Sequence, residues 1–333
     1  MKNHLPSVTF ILGILNAERT LRECLEGIYK QNYPLKRVEV IVADGGSTDR
    51  TLQIVKEYQK KYKNIVVIHN PHKLSEGKGM GKDMAVKKAK GEIVVFIDHD
   101  NIIIEKEWLR YMLAPFKDKT IMASQSLLQS RSGDSLFLQY INGVGVEDPF
   151  AVPYSLVSQV VLYPERFTLE KKAYYTYIVK GNPPLFGGAN GAAFRRSVFT
   201  TIGGYTRDVD IFAAMADYQM RVAVPLQGRV YHQTSASMAV YLKKKATYYY
   251  RFIAHDVNWK QYRWVPRGWR GNLKFWLMIL SNLTLISPFL LSLKQTLKSK
   301  ELFWLLHAPF LWYITMIYGL TTLVKIKNFF KYA

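Results

Sequence analysis

The sequence contains a single cysteine, Cys24, among its 333 residues. One cysteine excludes an intrachain disulfide and a cysteine-based metal cluster, and it agrees with a reducing compartment. Acidic residues are also scarce, because 25 Asp and Glu face 46 Lys and Arg, which leaves a formal net charge of +21. This excess predicts an anionic partner, and charge alone leaves three open: nucleotide phosphates, an anionic membrane surface or nucleic acid.

The first residues do not have the pattern of a secretion signal. The opening residues MKNHLPSVTF contain too short an apolar run before the next polar residues. We therefore expect the N-terminal part of the chain to stay inside the cell. Hydrophobic residues make up 49% of the sequence, which excludes a disordered chain and suffices for one large domain with additions or for two domains.

The first hundred residues alternate apolar runs rich in β-branched residues with helical stretches. Residues 8–15 and 38–43 predict buried strands, and the runs NIVVIH and EIVVFI repeat the pattern. Continuous apolar strands that alternate with helices predict an α/β fold, with a mostly parallel sheet covered by helices on both faces. Ligands of such sheets bind at the carboxyl ends of the strands, where Asp44 and Asp98 stand.

The composition changes towards the C-terminus. Over residues 243–274, lysines and arginines alternate with tyrosines and tryptophans, a combination typical of the headgroup zone of a membrane. The stretches 275–293 and 302–324 then lack charged residues, with His307 as the one residue of the second that could take up a positive charge. Each is long enough to cross a hydrocarbon core of about 30 Å. The pattern predicts a C-terminal membrane helical hairpin.

The chain therefore divides into three parts: an α/β domain over 1–240 with halves of about 1–120 and 121–240, an interfacial segment over 241–274, and two transmembrane helices with a basic tail over 275–333. Basic residues on both flanks of the hairpin favour a multi-pass protein of the cell membrane with its large domain on the cytoplasmic side. The loop of the hairpin also carries Lys294, Lys298 and Lys300.

The apolar run GEIVVFI ends abruptly at Asp98, His99 and Asp100. Paired carboxylates at a strand end can bind Mg²⁺ or Mn²⁺, and the cation in turn binds a diphosphate. The alternative is a solvated turn whose acids cap a helix. The position of the pair at the ligand edge of the sheet favours the cation site.

Two loops supply further candidates. Asp44 precedes two glycines in VADGGSTD, where a carboxylate can accept hydrogen bonds from a base or a ribose. The alternative is an Asx-turn that leads into the next helix. The loop EGKGMGKD, residues 76–83, opens a helix and is a candidate phosphate cradle in which Lys82 offsets charge, although it lacks the spacing of a P-loop.

In this order, the motifs resemble the nucleotide-sugar-binding half of the family-2 glycosyltransferases, which have the GT-A fold. The resemblance continues through GGANGAAFRRSVFTTIGGY and ADYQMRVAVPLQGRVYHQ and covers roughly residues 7–235. It implies a GT-A (Rossmann-like) domain and an inverting transfer from a UDP- or GDP-sugar. It also implies a divalent cation, Mn²⁺ or Mg²⁺, on the diphosphate of the donor.

The resemblance implies a donor site whose residues come from the first hundred positions: Gly13, Ile14, Leu15, Glu18, Asp44, Lys82, Asp98 and His99. The metal ligands that it implies are Asp98, Asp100 and His232. A buried structural histidine is the alternative for His232. The sequence departs from the family where Gly13, Ile14 and Leu15 replace the usual Pro-Thr-Tyr before Asn16.

By the same resemblance, Asp217 is the candidate general base. The family has an acidic pair at this point, of which MADYQMR keeps the second acid and has Ala216 in place of the first. The base would take a proton from the acceptor hydroxyl in a single displacement. The alternative for Asp217 is an acid at a helix N-terminus that the helix dipole stabilises.

The candidate acceptor-binding residues are Gly188, Ala189, Asn190, Arg263 and Trp264. KQYRW resembles the Gln-x-x-Arg-Trp motif of processive membrane synthases, but Gln261 lies one residue too close to Arg263. That spacing argues against a polymer synthase. Anchoring at the membrane interface is the alternative for Arg263 and Trp264.

We therefore expect a membrane-anchored glycosyltransferase that acts on a lipid-linked glycan acceptor, without a nucleic-acid partner. A polyprenyl- or dolichyl-phosphate sugar synthase is the close alternative. A nucleic-acid-binding membrane protein is a hypothesis of another class, and it predicts salt-dependent polynucleotide binding that survives loss of Asp98, Asp100 or Asp217. An inactive scaffold is a third, motivated by Ala216.

Overall fold

A computed structural model of the chain describes residues 5–145, 160–180, 188–234, 237–254 and 268–332. The chain forms two compact units: a first unit of Met1–Leu128 with Tyr154–His232, and a second unit of Gln129–Pro153 with Gln233–Ala333. The sequence placed the described residues 129–145 in the α/β domain, whereas the structure groups them with the C-terminal part. Arg263 and Trp264 lie outside the described residues.

The strands, in chain order, are β1 (Val8–Ile14), β2 (Val38–Asp44), β3 (Ile65–His69), β4 (Ile93–Phe96), β5 (Asn101–Ile102), β6 (Ile121–Gln125), β7 (Leu127–Gln129), β8 (Thr168–Glu170), β9 (Tyr174–Ile178), β10 (Ala192–Arg195), β11 (Arg221–Pro225) and β12 (Arg229–His232). A nine-stranded sheet has the order β3-β2-β1-β4-β10-β6-β11-β9-β8. A small sheet has the order β5-β12-β7.

The helices are α1 (Leu21–Tyr29), α2 (Thr51–Lys61), α3 (Gly81–Lys88), α4 (Trp108–Leu113), α5 (Leu136–Val144), α6 (Ser197–Ile202), α7 (Asp208–Met215), α8 (Met238–Ala254), α9 (Gly268–Thr284), α10 (Ile286–Ser299) and α11 (His307–Tyr332). Short 3₁₀ turns join several of them. Strands and helices alternate through the first unit as the apolar pattern predicts.

The predicted α/β fold is confirmed, and the parallel part of the sheet is its N-terminal half. β1 pairs in parallel with β2 and β4, and β2 pairs in parallel with β3. β10 is antiparallel to both β4 and β6, and β9 is antiparallel to β11. The large sheet is therefore mixed in its second half.

Both faces of β1 are covered, which explains why all of its residues are buried. Phe10 and Leu12 share a hydrophobic cluster with Leu21 and Leu25 of α1. Ile11 points to the other face and is equally buried. Alternate residues of a strand point to opposite faces, so a strand between two helical layers has a continuous apolar sequence.

The second unit differs from the predicted hairpin in its first arm. Residues 275–293 do not form one helix, because α9 ends at Thr284, α10 begins at Ile286, and their axes differ by 73°. Leu285 between them has a left-handed backbone with φ of 60°, a conformation that interrupts a right-handed helix. Leu302–Val324 is one stretch that is long and apolar enough to cross a membrane, judged by length and composition.

Candidate active site

The parallel register brings the carboxyl ends of β1, β2 and β4 to one edge of the sheet. Ile14 at the end of β1 lies beside Asp44 at the end of β2. Asp98 follows β4, and its backbone N–H donates a hydrogen bond to Asn190 Oδ1 at 2.9 Å. Asn190 is at this edge because β10 runs antiparallel to β4 and begins there. Four residues that the sequence singled out, Ile14, Asp44, Asp98 and Asn190, therefore meet at one edge.

Lys82 occupies the centre of a charged cluster at this edge, which we call the Lys82 cluster: Lys82, Glu76, Asp98 and Asp208. The side chain of Lys82 is fully buried, and its Nζ lies 2.9 Å from Asp98 Oδ1, 3.1 Å from Asp208 Oδ2 and 3.9 Å from Glu76 Oε1. The Tyr205 hydroxyl donates a hydrogen bond to Asp208 Oδ1 at 2.7 Å. One ammonium thus faces three carboxyl groups.

The electrostatics of the Lys82 cluster keep its lysine charged. Burial by itself lowers the pKa of Lys82, but Asp208, Asp98 and Glu76 together raise it above its ordinary value. Burial raises the pKa of Asp98, and Asp208 and Asp100 add to the rise against the attraction of Lys82. Burial, followed by the charge of Asp208, raises the pKa of Glu76 to about 7. Carboxyl groups outnumber the cation, so the cluster suits a ligand that brings positive charge or gives up a proton.

Asp44 orders its own loop. It is 3% exposed, and its carboxylate accepts hydrogen bonds from Gly46 N at 3.0 Å, Ser47 N at 3.2 Å and Ser47 Oγ at 2.6 Å. Gly46 has φ of +86°, which a residue without Cβ adopts readily. The Asx-turn that was the alternative interpretation is present, and the contact with a nucleoside stays a prediction.

The chain after β1 is bonded to the loop after β2. Asn16 Oδ1 accepts a hydrogen bond from Thr48 N at 2.9 Å, and Glu18 Oε2 accepts one from Arg50 N at 3.0 Å. Glu18 therefore holds the second loop in place. Leu15 projects outward with 41% of its surface exposed, in the stretch where the sequence predicts base contacts.

Gly13 lets the glycine-rich loop approach β1. A Cβ on Gly13 would lie 2.7 Å from Ser75 Cβ, closer than carbon atoms pack, and 3.5 Å from Lys82 Cγ, an ordinary contact. The loop is also held by Asp83, whose carboxylate accepts hydrogen bonds from Gly79 N at 2.8 Å and Tyr205 N at 3.1 Å. Part of the predicted phosphate cradle thus binds a carboxylate of the protein itself.

Asp100 and His232 lie together in the loop and strand that follow Asp98 and β11. The antiparallel pairing of β12 with β5 places His232 opposite Asn101, and His232 Nε2 is 3.5 Å from Asp100 Oδ2. A carboxylate and an imidazole suit a divalent transition-metal ion such as Mn²⁺. Among the described residues no group of three or more His, Cys, Asp or Glu side chains is arranged to hold a metal. Two of the predicted ligands therefore lie together, while the third, Asp98, faces Lys82.

His99 points to the first helix. Its Nδ1 lies 2.7 Å from Thr20 Oγ1, directly before α1. This contact joins the loop after β4 to the start of α1, and it gives His99 a structural partner besides its predicted place in the donor site.

Asp217 lies at the opposite edge of the sheet. α7 begins at Asp208 in the Lys82 cluster, and β11 begins at Arg221, beside Ile121 at the amino end of the parallel strand β6. Asp217 is exposed in the turn between α7 and β11. The structure therefore does not bring Asp217 to the ligand edge, and it brings Asp208 there. Because Ala216 belongs to the same turn, an acid missing at that position removes no charge from the cluster.

Sequence reasoning missed Asp208 and Glu76. The one signal for Asp208 was local: GGYTRDVD places acidic residues in the first turn of a helix after a glycine pair, a pattern that helix capping alone explains. Glu76 opens the glycine-rich loop without a motif of its own. Their relation to Lys82 is a tertiary contact, since Asp208 is 126 residues away along the chain.

The acceptor candidates in GGANG are placed as follows. Asn190 supports Asp98 through the bond described above, Ala189 is fully buried, and Gly188 is half-buried. Gly191 follows with φ of +73°, where a Cβ would lie 2.4 Å from Ser126 Oγ. The segment thus shapes the edge around Asp98, and its contact with an acceptor stays a prediction.

Two curated relatives match part of the chain. A poly(ribitol-phosphate) beta-glucosyltransferase of Bacillus spizizenii is 36% identical over 104 residues, which cover 31% of this chain and 16% of that protein. The poly(ribitol-phosphate) beta-N-acetylglucosaminyltransferase TarS of Staphylococcus aureus is 30% identical over 181 residues, which cover 53% of this chain and 29% of that protein. The chain spans less than a third of the length of either relative.

A solved structure shows the same fold over most of the chain. The mannosyltransferase PcManGT from Pyrobaculum calidifontis, in complex with GDP-Man and Mn²⁺, has a TM-score of 0.55 and 16% identity, and the match covers 95% of this chain and 88% of that one. Residues 9–203, more than half of the chain, match the family described as "Glycosyl transferase family 2". With Asp44, Lys82, Asp98 and Asp100 inside the matched range and gathered at the ligand edge of a GT-A sheet, the chain belongs to glycosyl transferase family 2.

Proposed function

We propose that this chain transfers a sugar from a nucleotide-sugar donor to an acceptor hydroxyl by a single displacement with inversion. The observation that carries the proposal is the Lys82 cluster, which places Asp98 and Asp208 on one buried ammonium at the carboxyl edge of the sheet. Open α/β sheets bind their ligands at this edge. Membership of glycosyl transferase family 2 supplies the class of reaction.

The donor that fits this edge is a UDP- or GDP-sugar. Asp44 and the segment from Gly13 to Leu15 would contact the nucleoside, and Asp98 would contact the ribose. The bound GDP-Man of the archaeal mannosyltransferase supports a nucleotide sugar as donor. The names of the two bacterial relatives, which transfer glucose and N-acetylglucosamine, leave the sugar open.

Asp100 and His232 would hold a divalent cation, Mn²⁺ or Mg²⁺. Their contact between Nε2 and Oδ2, and the burial of His232, fit a site that offers one oxygen and one nitrogen donor. When bound, the cation supplies neutralisation of the charge on the leaving diphosphate. Lys82 holds Asp98 beside this site through its ion pair.

Asp208 is the proposed general base. Its side chain is 15% exposed and is oriented by Lys82 and by the Tyr205 hydroxyl, so a carboxylate oxygen is held in one place at the ligand edge. It would accept the proton of the acceptor hydroxyl as that oxygen attacks the anomeric carbon. Asp217 was the candidate from sequence, and its position at the opposite edge is the reason for preferring Asp208.

The assignment of the base is tested with three matched substitutions: Asp208→Asn, Asp217→Asn and, as a control on the same helix, Asp210→Asn. We expect Asp208→Asn to lower kcat by about 10² to 10⁴-fold, the range for loss of a positioned base. Donor binding, measured as the rise in unfolding temperature with nucleotide sugar and Mn²⁺, should persist in this variant because Asp208 contacts the acceptor.

Asp210→Asn should behave like the parent protein in both measurements. A loss of kcat that is larger in Asp217→Asn than in Asp208→Asn would return the role of base to Asp217. Absence of a thermal shift with every UDP- and GDP-sugar would contradict sugar transfer itself.

The proposed acceptor is a lipid-linked glycan at the cytoplasmic side of the cell membrane. The basic and aromatic residues of 241–274 and the apolar stretch Leu302–Val324 support a membrane location. A pyrophosphate headgroup is anionic and matches the basic residues, while its polyprenyl tail stays in the bilayer. A polyprenyl-phosphate sugar synthase would use the same surface with the lipid phosphate itself as acceptor. Assaying transfer to both lipids in parallel separates the two.

A further inference from the structure

The second unit has an inverted distribution of polarity. Several of its most buried side chains are polar or titratable: Asn282, Ser292, Gln295, His307 and Thr315. Its most exposed side chains include large apolar ones, such as Trp269 at 70%, Ile286 at 66% and Leu297 at 73%. A helical unit surrounded by water has the opposite arrangement. An apolar exterior around a hydrogen-bonded polar interior is the arrangement that a hydrocarbon environment favours.

Buried polar groups of this unit have hydrogen-bond partners inside it. Asn282 Nδ2 donates to Thr315 Oγ1 at 3.1 Å, which joins α9 to α11. Ser292 Oγ of α10 donates to the carbonyl oxygen of Trp304 at 2.8 Å. Such bonds satisfy polar groups that water could not reach. These polar side chains of α9 and α10 thus have partners inside the unit, and the uncharged outer surface between the flanking cations is largely apolar.

The outer face of α10 is one continuous stripe. Its members recur at helical spacing and are between 43% and 73% exposed: Ile286, Phe289, Leu290, Leu293 and Leu297. α9 exposes a similar set before the bend: Trp269, Leu273, Phe275, Trp276, Leu277, Leu280 and Leu283. A contiguous surface of this kind marks an interaction site.

Neither arm of the bent pair is long enough to cross a bilayer. The uncharged part of α9, residues 275–284, is about 15 Å long, and that of α10, residues 286–293, is about 12 Å long. The hydrocarbon core is about 30 Å thick. The bend of 73° at Leu285 prevents the two arms from adding their lengths. Each arm therefore reaches about half-way.

Charged residues lie at both ends of the bent pair and are absent from its middle. Arg270 and Lys274 precede the uncharged part, and Lys294, Lys298 and Lys300 follow it. In a spanning hairpin the last three would lie on the far side of the membrane, away from the cations that precede the pair. If both arms return to one face, all five cations lie in the same anionic headgroup layer.

We propose that α9 and α10 form a re-entrant element that inserts into one leaflet from the cytoplasmic face, with Leu285 at its deepest point and both ends in the headgroup layer. The occupant of the apolar face is a lipid bilayer with anionic headgroups. A second copy of the chain would fit less well, since it would place its own lysines against Lys294 and Lys298. The proposal refines the membrane location stated under the proposed function and does not depend on sugar transfer.

The test is the sidedness of single cysteines in sealed vesicles. Cys24 is the one native cysteine and is buried. The Cys24→Ser variant therefore has no thiol that could react with the maleimide, and it serves as the starting protein. Single cysteines are introduced by Asn272→Cys before the first arm, Ile286→Cys at the bend, Lys300→Cys after the second arm and Lys63→Cys on the first unit as a reference. Each is treated with a membrane-impermeant maleimide before and after detergent.

We expect positions 63, 272 and 300 to react from the same side of the membrane, and position 286 to react only after detergent. Reaction of position 300 from the opposite side would establish a spanning hairpin and overturn the proposal. Reaction of position 286 as fast as position 272, with release of the protein by high salt, would show a face covered by protein and would overturn it as well.

A second variant guards against misfolding at the bend. Leu290→Cys lies on the outer face of α10, is 60% exposed and should be protected like position 286. Quenching of a fluorophore at position 286 or 290 by brominated lipid acyl chains should exceed quenching at position 272. Equal quenching at all three positions would contradict insertion. Labelling and quenching need no catalytic activity, so failure of this proposal and failure of the proposed function remain distinct.

Discussion

Lys82 shows at the residue scale how one buried cation organises an active-site edge. Its ammonium is removed from water, and the contacts with Asp98 and Asp208 compensate for the lost hydration. The same contacts fix both carboxylates relative to each other. A residue that holds two functional acids in this way acts on the reaction through their positions.

Replacing Lys82 by methionine should destabilise the first unit strongly. The substitution leaves three carboxyl groups without their cation, and breaking a buried ion pair from one side costs about 3–5 kcal/mol in free energy of unfolding. Lys88→Met, on the same helix at an exposed position, should change that free energy by less than about 0.5 kcal/mol. Urea unfolding of both variants measures the difference. A Lys82→Met protein as stable as Lys88→Met would contradict the role of the buried ion pairs.

Glu76 should make stability depend on pH between weakly acidic and neutral conditions. Its pKa rises from an ordinary value of 4.5 to about 7 in the folded protein. Over that interval the folded state keeps a proton that the unfolded state has lost. The contribution of Glu76 to stability is therefore complete below pH 4.5 and is lost as the pH rises through about 7.

The unfolding temperature of Glu76→Gln should consequently fall less than that of the parent protein as the pH is raised across this interval. Glu165→Gln, at an exposed site, provides the control and should follow the parent curve. Parallel curves for the parent and Glu76→Gln would show that the Glu76 pKa is not raised.

At the scale of elements, the contact between β1 and the glycine-rich loop sets the shape of the donor edge. Gly13→Ala should push the loop away, because the added Cβ would stand 2.7 Å from Ser75 Cβ. Overpacking of this kind costs about 1–3 kcal/mol in free energy of unfolding, and because the displaced loop belongs to the predicted phosphate cradle we expect donor affinity to fall, as measured by titration calorimetry. Removing the opposing atom in Gly13→Ala/Ser75→Gly should restore most of the affinity. A double variant as weak as the single one would place the effect elsewhere.

The crossover from α7 to β11 is the second element that decides the site. It carries the chain from the Lys82 cluster to the opposite edge of the sheet and back, so acids only nine positions apart, Asp208 and Asp217, end on different edges. β12 then follows and returns His232 to Asp100. The spacing of a motif along the sequence does not show which end of such a crossover lies at the ligand edge of the sheet.

At the scale of the whole molecule, the protein combines a net charge of +21 with a second unit that exposes many large apolar side chains. We expect the protein to bind vesicles containing phosphatidylserine more tightly than vesicles of phosphatidylcholine, with a preference that weakens as salt is raised. Binding to the anionic vesicles should persist in part at high salt because apolar insertion is not screened. Co-sedimentation with vesicles at low and high salt measures both parts.

Polynucleotide added in the same experiment tests the nucleic-acid hypothesis. A polynucleotide that displaces the protein from anionic vesicles, with equal affinity for the parent and for Asp98→Asn, would favour nucleic acid as the anionic partner. We expect the vesicles to retain the protein.

The sequence by itself determined the alternation of strands and helices, the edge at which ligands bind, and the acids at the ends of β2 and β4. These follow from local periodicity, because a strand buried on both faces must be apolar until it reaches the ligand edge. The apolar C-terminal stretches were equally plain. Their division was overlooked, although Pro288 in the first turn of α10 has no N–H for the carbonyl of Thr284 and so disfavours one continuous helix through Leu285.

Only the tertiary structure decided which acids share Lys82. Asp208 and Lys82 are 126 positions apart, and their meeting depends on the return of the chain through α7 to the carboxyl edge. Asp217 matched a family motif in sequence and lies at the wrong edge for the cluster. The hydrophobic period of a sequence indicates which face of a helix or strand is buried. A charged cluster forms between residues that are far apart in sequence, because Coulomb attraction depends on their distance in space and not on their separation along the chain.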